Sequence, residues 1–141
     1  MLRVDFQLAK TMFFDRAKIK RKVDVRTRKV LSKFGAFVRQ TSRKSIRKGK
    51  GTSKPGRPPF SHTGVLKKFI YFGYDTDRRS VVIGPVIAPG KVGKAPAALE
   101  HGGKVSLPFG NQANIASRPF MKPAFDEELK QVPKLWADSI K

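Results

Sequence analysis

"DRAKIKRKVDVRTRKVLSKFGAFVRQTSRKSIR" (residues 15–47) decides the fold, because it holds the longest periodic pattern in the chain. Asp15 suits an N-cap, and apolar residues recur on one helical face through to about Arg47. These apolar residues are Ile19, Val23, Val30, Phe34, Phe37 and Val38. The pattern predicts one amphipathic helix, roughly 45 to 50 Å long at about 1.5 Å per residue.

The same helix carries a basic stripe beside its apolar face. Its members recur every three or four residues and are Lys18, Lys22, Arg26, Lys29 and Lys33. Asp24 is the only acidic residue between positions 16 and 50, so like charges stand at a spacing that lowers helix stability. We therefore favour a surface that faces DNA or an acidic partner over an ordinary solvated face. A membrane-surface helix ranks lower, because so small a domain needs these apolar residues to cover its sheet.

Composition indicates one folded, strongly basic domain. The chain has 141 residues, is 39% hydrophobic and contains 11 phenylalanines, which is enough for a single core. Its formal charge is +21, and residues 1–62 hold 19 basic against three acidic residues, a charge of +16. An anionic partner is expected to meet this half of the protein.

Cysteine is absent, which excludes disulfides and thiolate metal sites and is compatible with a reducing cytoplasm. Neither a secretory signal nor an apolar stretch of membrane-spanning length is visible. His62 and His101 have no Ser–His–acid constellation beside them, and two histidines make a poor zinc site. The sequence therefore predicts no enzymatic activity and no cofactor.

The remaining patterns predict an α+β fold in a single domain over residues 1–141. Alternation of apolar and polar residues predicts a strand over residues 2–8, and glycine and proline predict a mobile basic arm over 48–62. The cations of this arm are Lys48, Lys50, Lys54 and Arg57. Two β-rich segments, Val65–Tyr74 and Ser80–Ile87, favour an antiparallel hairpin joined by "DTDRR".

Residues 86–117 are rich in glycine and proline and are predicted to form a long excursion with one helical turn near Ala97–His101. The chain then returns to a helix with Pro123 in its first turn and a kink at Pro133. Its predicted apolar face consists of Phe125, Leu129, Val132, Trp136 and Ile140. In the predicted architecture a small antiparallel sheet packs against the long N-terminal helix and this C-terminal helix.

Four blocks in order carry a resemblance to a known family. They are "PGRPPFSHTGVLKKFIYFGYD" (55–75), "RRSVVIGP" (78–85), "APAALEHGG" (95–103) and "RPFMKPAFDEEL" (118–129). Over about residues 42–141 the chain resembles the small tail-component proteins of long-tailed bacteriophages and prophages, variously called neck, minor tail or tail-completion proteins.

The resemblance implies an α+β virion protein without known chemistry, found in the neck or tail and in the host cytoplasm during assembly. It implies a homo-oligomeric ring at the head–tail junction, of six or twelve copies, between portal- or adaptor-side and tail-tube-side proteins, with non-specific contact to packaged DNA and no membrane. Turn or interface positions implied by it are His62, Gly64, Glu100, Gly102, Arg118 and Phe120. The strong basicity of the first half departs from the family pattern.

The alternative is a sequence-independent nucleic-acid-binding protein of ribosomal or nucleoid type, which the charge alone would favour. Against it, the chain has no recognised RNA or DNA motif, and Phe69, Tyr71 and Phe72 follow a strand pattern that suits a core or an interface. A regulatory adaptor for an acidic enzyme has no positive support in the sequence.

Overall fold

The computed structural model describes residues 16–86, 95–106 and 110–140. The predicted strand over residues 2–8 and the N-cap at Asp15 lie outside the described residues. A 30-residue helix, α1 (Arg16–Ser45), opens the described chain, as the periodic pattern predicted. The remaining elements are β1 (Arg47–Lys48), β2 (Phe60–Ser61), α2 (Val65–Lys68), β3 (Ile70–Asp75), β4 (Ser80–Pro85), α3 (Ala95–His101), β5 (Gly103–Ser106), β6 (Gln112–Ile115), α4 (Met121–Leu129) and α5 (Val132–Ile140).

The fold is α+β, as predicted, but its strands form three separate two-stranded pairs. β3 and β4 pair antiparallel from Ile70 opposite Pro85 to Asp75 opposite Ser80, which confirms the predicted hairpin. β5 and β6 also pair antiparallel, whereas β1 and β2 form a short parallel pair. The predicted small sheet is therefore divided among three places in the domain.

Helix α1 is the central element, because the β3–β4 hairpin and helices α4 and α5 all pack against it. The main core cluster joins Val30, Phe34 and Val38 of α1 to Ala124 of α4 and Leu135 of α5. A second cluster of Ile46, Ile70 and Phe120 lies around the end of α1. Met121 packs against both clusters and connects them.

Gly35 lets the hairpin approach α1 closely. A Cβ atom at this position would lie 2.7 Å from Cγ2 of Val81 and 2.9 Å from Cδ2 of Phe72. Both distances are shorter than a carbon–carbon contact can be, so the absence of a side chain sets how near the hairpin sits.

Val65–Lys68 is helical, so the prediction of a β-rich segment from Val65 was wrong for these residues. Gly64 has a left-handed backbone (φ 74°), and its carbonyl accepts a hydrogen bond from the N–H of Lys68 at 3.0 Å. This local hydrogen bonding overrides the β propensity of the segment, and the strand begins at Ile70.

The predicted excursion over residues 86–117 is more regular than expected. Helix α3 confirms the helical turn predicted near Ala97–His101, but the β5–β6 hairpin that follows was not predicted. Its strands are four residues each, and glycines with φ of +76° and +119° stand at positions 102 and 103. Strands this short carry too few alternations for a reliable pattern.

The C-terminal helix is interrupted rather than kinked, which corrects the prediction for Pro133. Pro133 has no N–H to donate and its ring collides with the preceding turn, so α4 ends at Leu129 and α5 begins at Val132. The interruption changes the buried face: Ala124, Glu128 and Leu135 are buried. Leu129 and Ile140 of the predicted face are exposed, whereas Val132 and Trp136 pack against the main core. Phe125 is 41% exposed, but its ring meets Phe34 of the main core edge to face, with ring centroids 5.3 Å apart.

Candidate functional site

The basic stripe lies on an exposed face of α1. At about 100° per residue, Lys18, Lys22, Lys29 and Lys33 fall within roughly 60° of one another, and all four are exposed. Arg26 stands at the edge of the stripe, where its guanidinium donates a hydrogen bond to the carbonyl oxygen of Ser139 in α5. Four lysines thus form the exposed surface of the stripe, and Arg26 also connects α1 to α5 through its hydrogen bond.

The acidic residue within this part of the sequence does not neutralise the stripe. Asp24 lies about 150° around α1 from the centre of the four lysines, and it pairs with Arg79 at 3.4 Å. A second ion pair joins Lys122 to Asp126 at 2.9 Å. Asp24 therefore faces away from the four exposed lysines.

Apolar side chains beside the stripe are also uncovered. Ile19 and Val23 lie along one edge and are 48% and 52% exposed, and Val25 lies at the other edge and is 63% exposed. Ile19 and Val23 thus precede the positions of α1 at which Asp24, Arg26 and Arg28 contact the hairpin and α5.

The arm over residues 48–62 is attached to the domain at several points. The N–H of Gly56 donates to the carbonyl of Ser117 at 2.8 Å, and Nε of Arg118 donates to the carbonyl of Ser53 at 2.9 Å. Nε2 of His62 lies 3.1 Å from the carbonyl oxygen of Gly51. These contacts do not measure motion, so mobility of the arm in the free protein stays a prediction.

The four cations of the arm, Lys48, Lys50, Lys54 and Arg57, are exposed. They follow the C-terminal end of α1, whereas the stripe ends at Lys33, about 18 Å earlier along the helix. Lys54 and Arg57 instead line a cleft with Lys44 and Arg47. The structure thus gives two separate basic regions, the stripe and this cleft.

Glu100 holds the start of α4. Its Oε2 accepts hydrogen bonds from the backbone N–H groups of Phe120 at 2.9 Å and Met121 at 3.0 Å, and its Oε1 accepts one from Lys122 at 2.7 Å. Phe120 has no capping side chain of its own, so a carboxylate 20 residues earlier satisfies these free helix N–H groups.

The other predicted turn or interface positions also have places within the fold. Gly64 begins α2 with its left-handed backbone, and Gly102 (φ +76°) ends α3 with its N–H bonded to the carbonyl of Ala98. The Arg118 side chain fastens the arm, and Phe120 is 1% exposed in the second core cluster. A role of these residues in subunit contacts stays a prediction.

Sequence reasoning missed a buried polar cluster between α1 and α4. Glu128 is 7% exposed and accepts hydrogen bonds from Oγ1 of Thr41 at 2.5 Å and Nε2 of Gln131 at 2.8 Å. The separation of Glu128 and Gln131 by three residues is the only sign of this cluster in the local sequence. Thr41 is 87 positions away, and no pattern in a single sequence connects it to Glu128.

Within the described residues, no cluster of three or more histidine, aspartate or glutamate side chains could bind a metal ion. None of the described helices combines the length and the apolar character that crossing a membrane requires. Comparison of the chain with protein-family models, curated proteins and solved structures found no match.

Proposed function

We propose that this protein is a structural virion component of the head–tail junction of a long-tailed phage. It would form part of a homo-oligomeric ring that joins or completes the tail and surrounds the DNA passage. The observation that carries the proposal is the exposed lysine stripe of α1, with uncovered apolar side chains along both of its edges. The four ordered sequence blocks supply the family resemblance.

The uncovered apolar residues support a role as a subunit of an assembly. Monomeric proteins rarely leave several large apolar side chains exposed together, and such patches commonly mark protein contacts. Ile19 and Val23, one turn apart near the start of α1, fit this description. In the proposed ring they contact a neighbouring copy or a portal- or tail-side virion protein.

The lysine stripe supports contact with a polyanion. A channel for DNA should attract phosphates without reading bases, and lysines on a rigid helix supply that sequence-independent attraction. An acidic face of an adjacent ring is the second partner that the stripe would suit. We favour the DNA passage, with the protein in the virion and, during assembly, in the host cytoplasm.

Charge reversal on the stripe distinguishes these partners. The variant K22E/K29E avoids Arg26, whose bond to Ser139 also supports the fold. If the stripe faces DNA, tails should join heads while DNA retention or delivery is impaired. If it faces an acidic protein, joining should fail, and a compensating reversal on that protein should restore it.

The matched control is K130E/K134E, which changes the net charge equally at exposed positions after and within the C-terminal helices. Its tails should join heads and deliver DNA normally. Cryo-electron microscopy of the virion neck tests the ring itself, and a single asymmetrically placed copy there would refute it. Equal phenotypes of the two charge-reversal variants would refute a specific role of the stripe.

A sequence-independent nucleic-acid-binding protein of ribosomal or nucleoid type is the second candidate. The charge of +21 and the exposed lysine stripe favour it. Gene neighbourhood separates the two candidates, because portal, capsid and tail genes would accompany a neck protein and a ribosomal operon would not. DNA binding by the isolated protein should ignore sequence and weaken with salt at a log–log slope of about −0.9 per phosphate neutralised.

A further inference from the structure

A cleft of about 690 Å³ lies between the end of α1 and the segment that leads into β2. Cations line it from both sides: Lys44 and Arg47 from the end of α1 and β1, and Lys54 and Arg57 from the arm. Ser53 and Phe60 are also part of its lining. The cleft is distinct from the lysine stripe, because the stripe ends at Lys33, about three helical turns before Lys44.

Among residues 16–86, 95–106 and 110–140, no carboxylate forms an ion pair with a cation of the cleft. None of its lining residues is acidic, and neither ion pair of the described residues involves them. Four cations brought together without a counter-charge repel one another, so a bound anion would stabilise the arrangement.

Ser53 provides a second, independent indication of a ligand. The residue is 7% exposed, and its Oγ is the one buried side-chain polar atom of the described residues without a hydrogen-bond partner. A buried hydroxyl normally has a partner, because leaving it unpaired loses the hydrogen bond that water would have made. Because Ser53 lines the cleft, rotation of its side chain toward the cleft would let an anion oxygen there accept a hydrogen bond from this hydroxyl.

The wall that carries Ser53 is held in place by the rest of the domain. Arg118 bonds the carbonyl of Ser53 at 2.9 Å, the N–H of Gly56 bonds Ser117 at 2.8 Å, and Arg47 pairs with Phe60 in the parallel β1–β2 ladder. The end of α1 with β1 carries one pair of cations and the arm carries the other. These two segments are therefore bonded to each other and to the rest of the domain. A bound anion would favour this arrangement over the mobile arm predicted for the free protein.

We propose that this cleft is a binding site for a phosphate group. Two arginines supply planar forks that match phosphate oxygens, two lysines add charge, and the Ser53 hydroxyl adds a hydrogen bond. The volume lies within the range of about 300 to 1,000 Å³ that small-molecule sites occupy, and the Phe60 ring, 40% exposed, gives a base a surface for stacking. The phosphate belongs either to a free nucleotide or pyrophosphate or to the backbone of a nucleic-acid strand. This inference does not depend on the proposed place in a phage neck.

The test uses the full chain, with inorganic pyrophosphate and a fluorescein-labelled dT12 oligonucleotide as probes. Pyrophosphate is titrated into ¹⁵N-labelled protein, and amide shifts should concentrate at residues 44–47 and 52–60. The oligonucleotide is followed by fluorescence anisotropy. The variant K54A/R57A removes two cleft cations, and S53A removes only the hydroxyl. K130A/K134A removes two exposed lysines outside the cleft and the stripe and is the matched control.

K54A/R57A should weaken pyrophosphate binding about tenfold, the typical effect of losing charge-assisted contacts, while K130A/K134A changes it less than about twofold. S53A should weaken it about threefold with an unchanged circular dichroism spectrum. Saturable pyrophosphate binding that K54A/R57A weakens identifies a site for free phosphates. If K54A/R57A weakens the binding of dT12 alone, the cleft is a site for the nucleic-acid backbone. The proposal would be overturned if pyrophosphate caused no amide shifts in the cleft and K54A/R57A left the dT12 anisotropy curve unchanged, or if the two double variants weakened binding equally. An S53A variant that binds as tightly as the wild type would remove the hydroxyl from the site.

Discussion

Replacing Glu100 by alanine should destabilise the protein strongly, although the residue is remote in sequence from the helix that it caps. The change removes three hydrogen bonds from one carboxylate to the N–H groups of residues 120–122, at 2.7 to 3.0 Å. Phe120 lies in the second core cluster, so the clamp also fixes how that ring is buried. The structural consequence is a frayed start of α4 and a loosened contact with α3.

The size of this effect follows from the groups involved. A single hydrogen bond to a charged group contributes about 1.5 to 3 kcal/mol, and loss of an N-cap costs about 0.5 to 2 kcal/mol. Three bonds to one partly exposed carboxylate are not additive, so we expect a loss of about 2 to 4 kcal/mol. In a chain of 141 residues, 3 kcal/mol corresponds to a fall in Tm of about 10 °C. E100Q keeps one acceptor oxygen without the charge and should lose about half as much.

Urea unfolding followed by Trp136 fluorescence measures the effect, because this single tryptophan packs against the main core cluster. E127A is the matched control, since it removes the same charge from an exposed position of α4. The control should stay within about 0.5 kcal/mol of the wild type. If E100A and E127A unfolded at the same urea concentration, the assignment of Glu100 as the cap of α4 would be wrong.

Two further predictions concern the packing of α1 and the arm. G35A should lower the free energy of unfolding by about 1 kcal/mol, because displacing Val81 and Phe72 costs more than the gain in helix propensity. G73A is the control and should be neutral or stabilising, because a Cβ atom at this position meets nothing within 4 Å. Equal effects of the two substitutions would contradict the close approach at Gly35. Hydrogen exchange of the free protein should be fast over residues 48–61 except at Gly56, whose N–H bonds Ser117, and strong protection throughout the segment would refute a mobile arm.

The parts of the fold that the sequence predicts well are those set by local pattern. Helix α1 follows from a long apolar period, and the β3–β4 hairpin follows from two β-rich segments around a turn. In that turn, Oδ1 of Asp75 accepts hydrogen bonds from the N–H groups of Asp77 and Arg78, both at 3.0 Å. Each of these sequence patterns lies within a few residues of the helix, strand or turn that it specifies.

The features that escape prediction depend on contacts between distant segments. Glu100 caps a helix 20 residues later, and Thr41 bonds a glutamate 87 residues away. The cleft likewise needs the end of α1 and the arm to be folded together before its four cations become neighbours. The sequence reveals the basic character of both segments, but their separation into a stripe and a cleft is a tertiary property.

In helix α1, the residues that stabilise the core and the lysines that carry the surface charge occupy different positions. Its buried residues begin at Val30 and continue to Ser42, where the hairpin and the C-terminal helices pack. Lys18, Lys22 and Lys29 precede this segment, and Lys33 lies on its exposed side. Substitutions at these lysines remove charge without opening a cavity, and surface changes of this kind usually alter stability by no more than about 0.5 kcal/mol. A loss of assembly or DNA delivery in K22E/K29E can therefore be assigned to the stripe, provided that its urea midpoint stays close to that of the wild type.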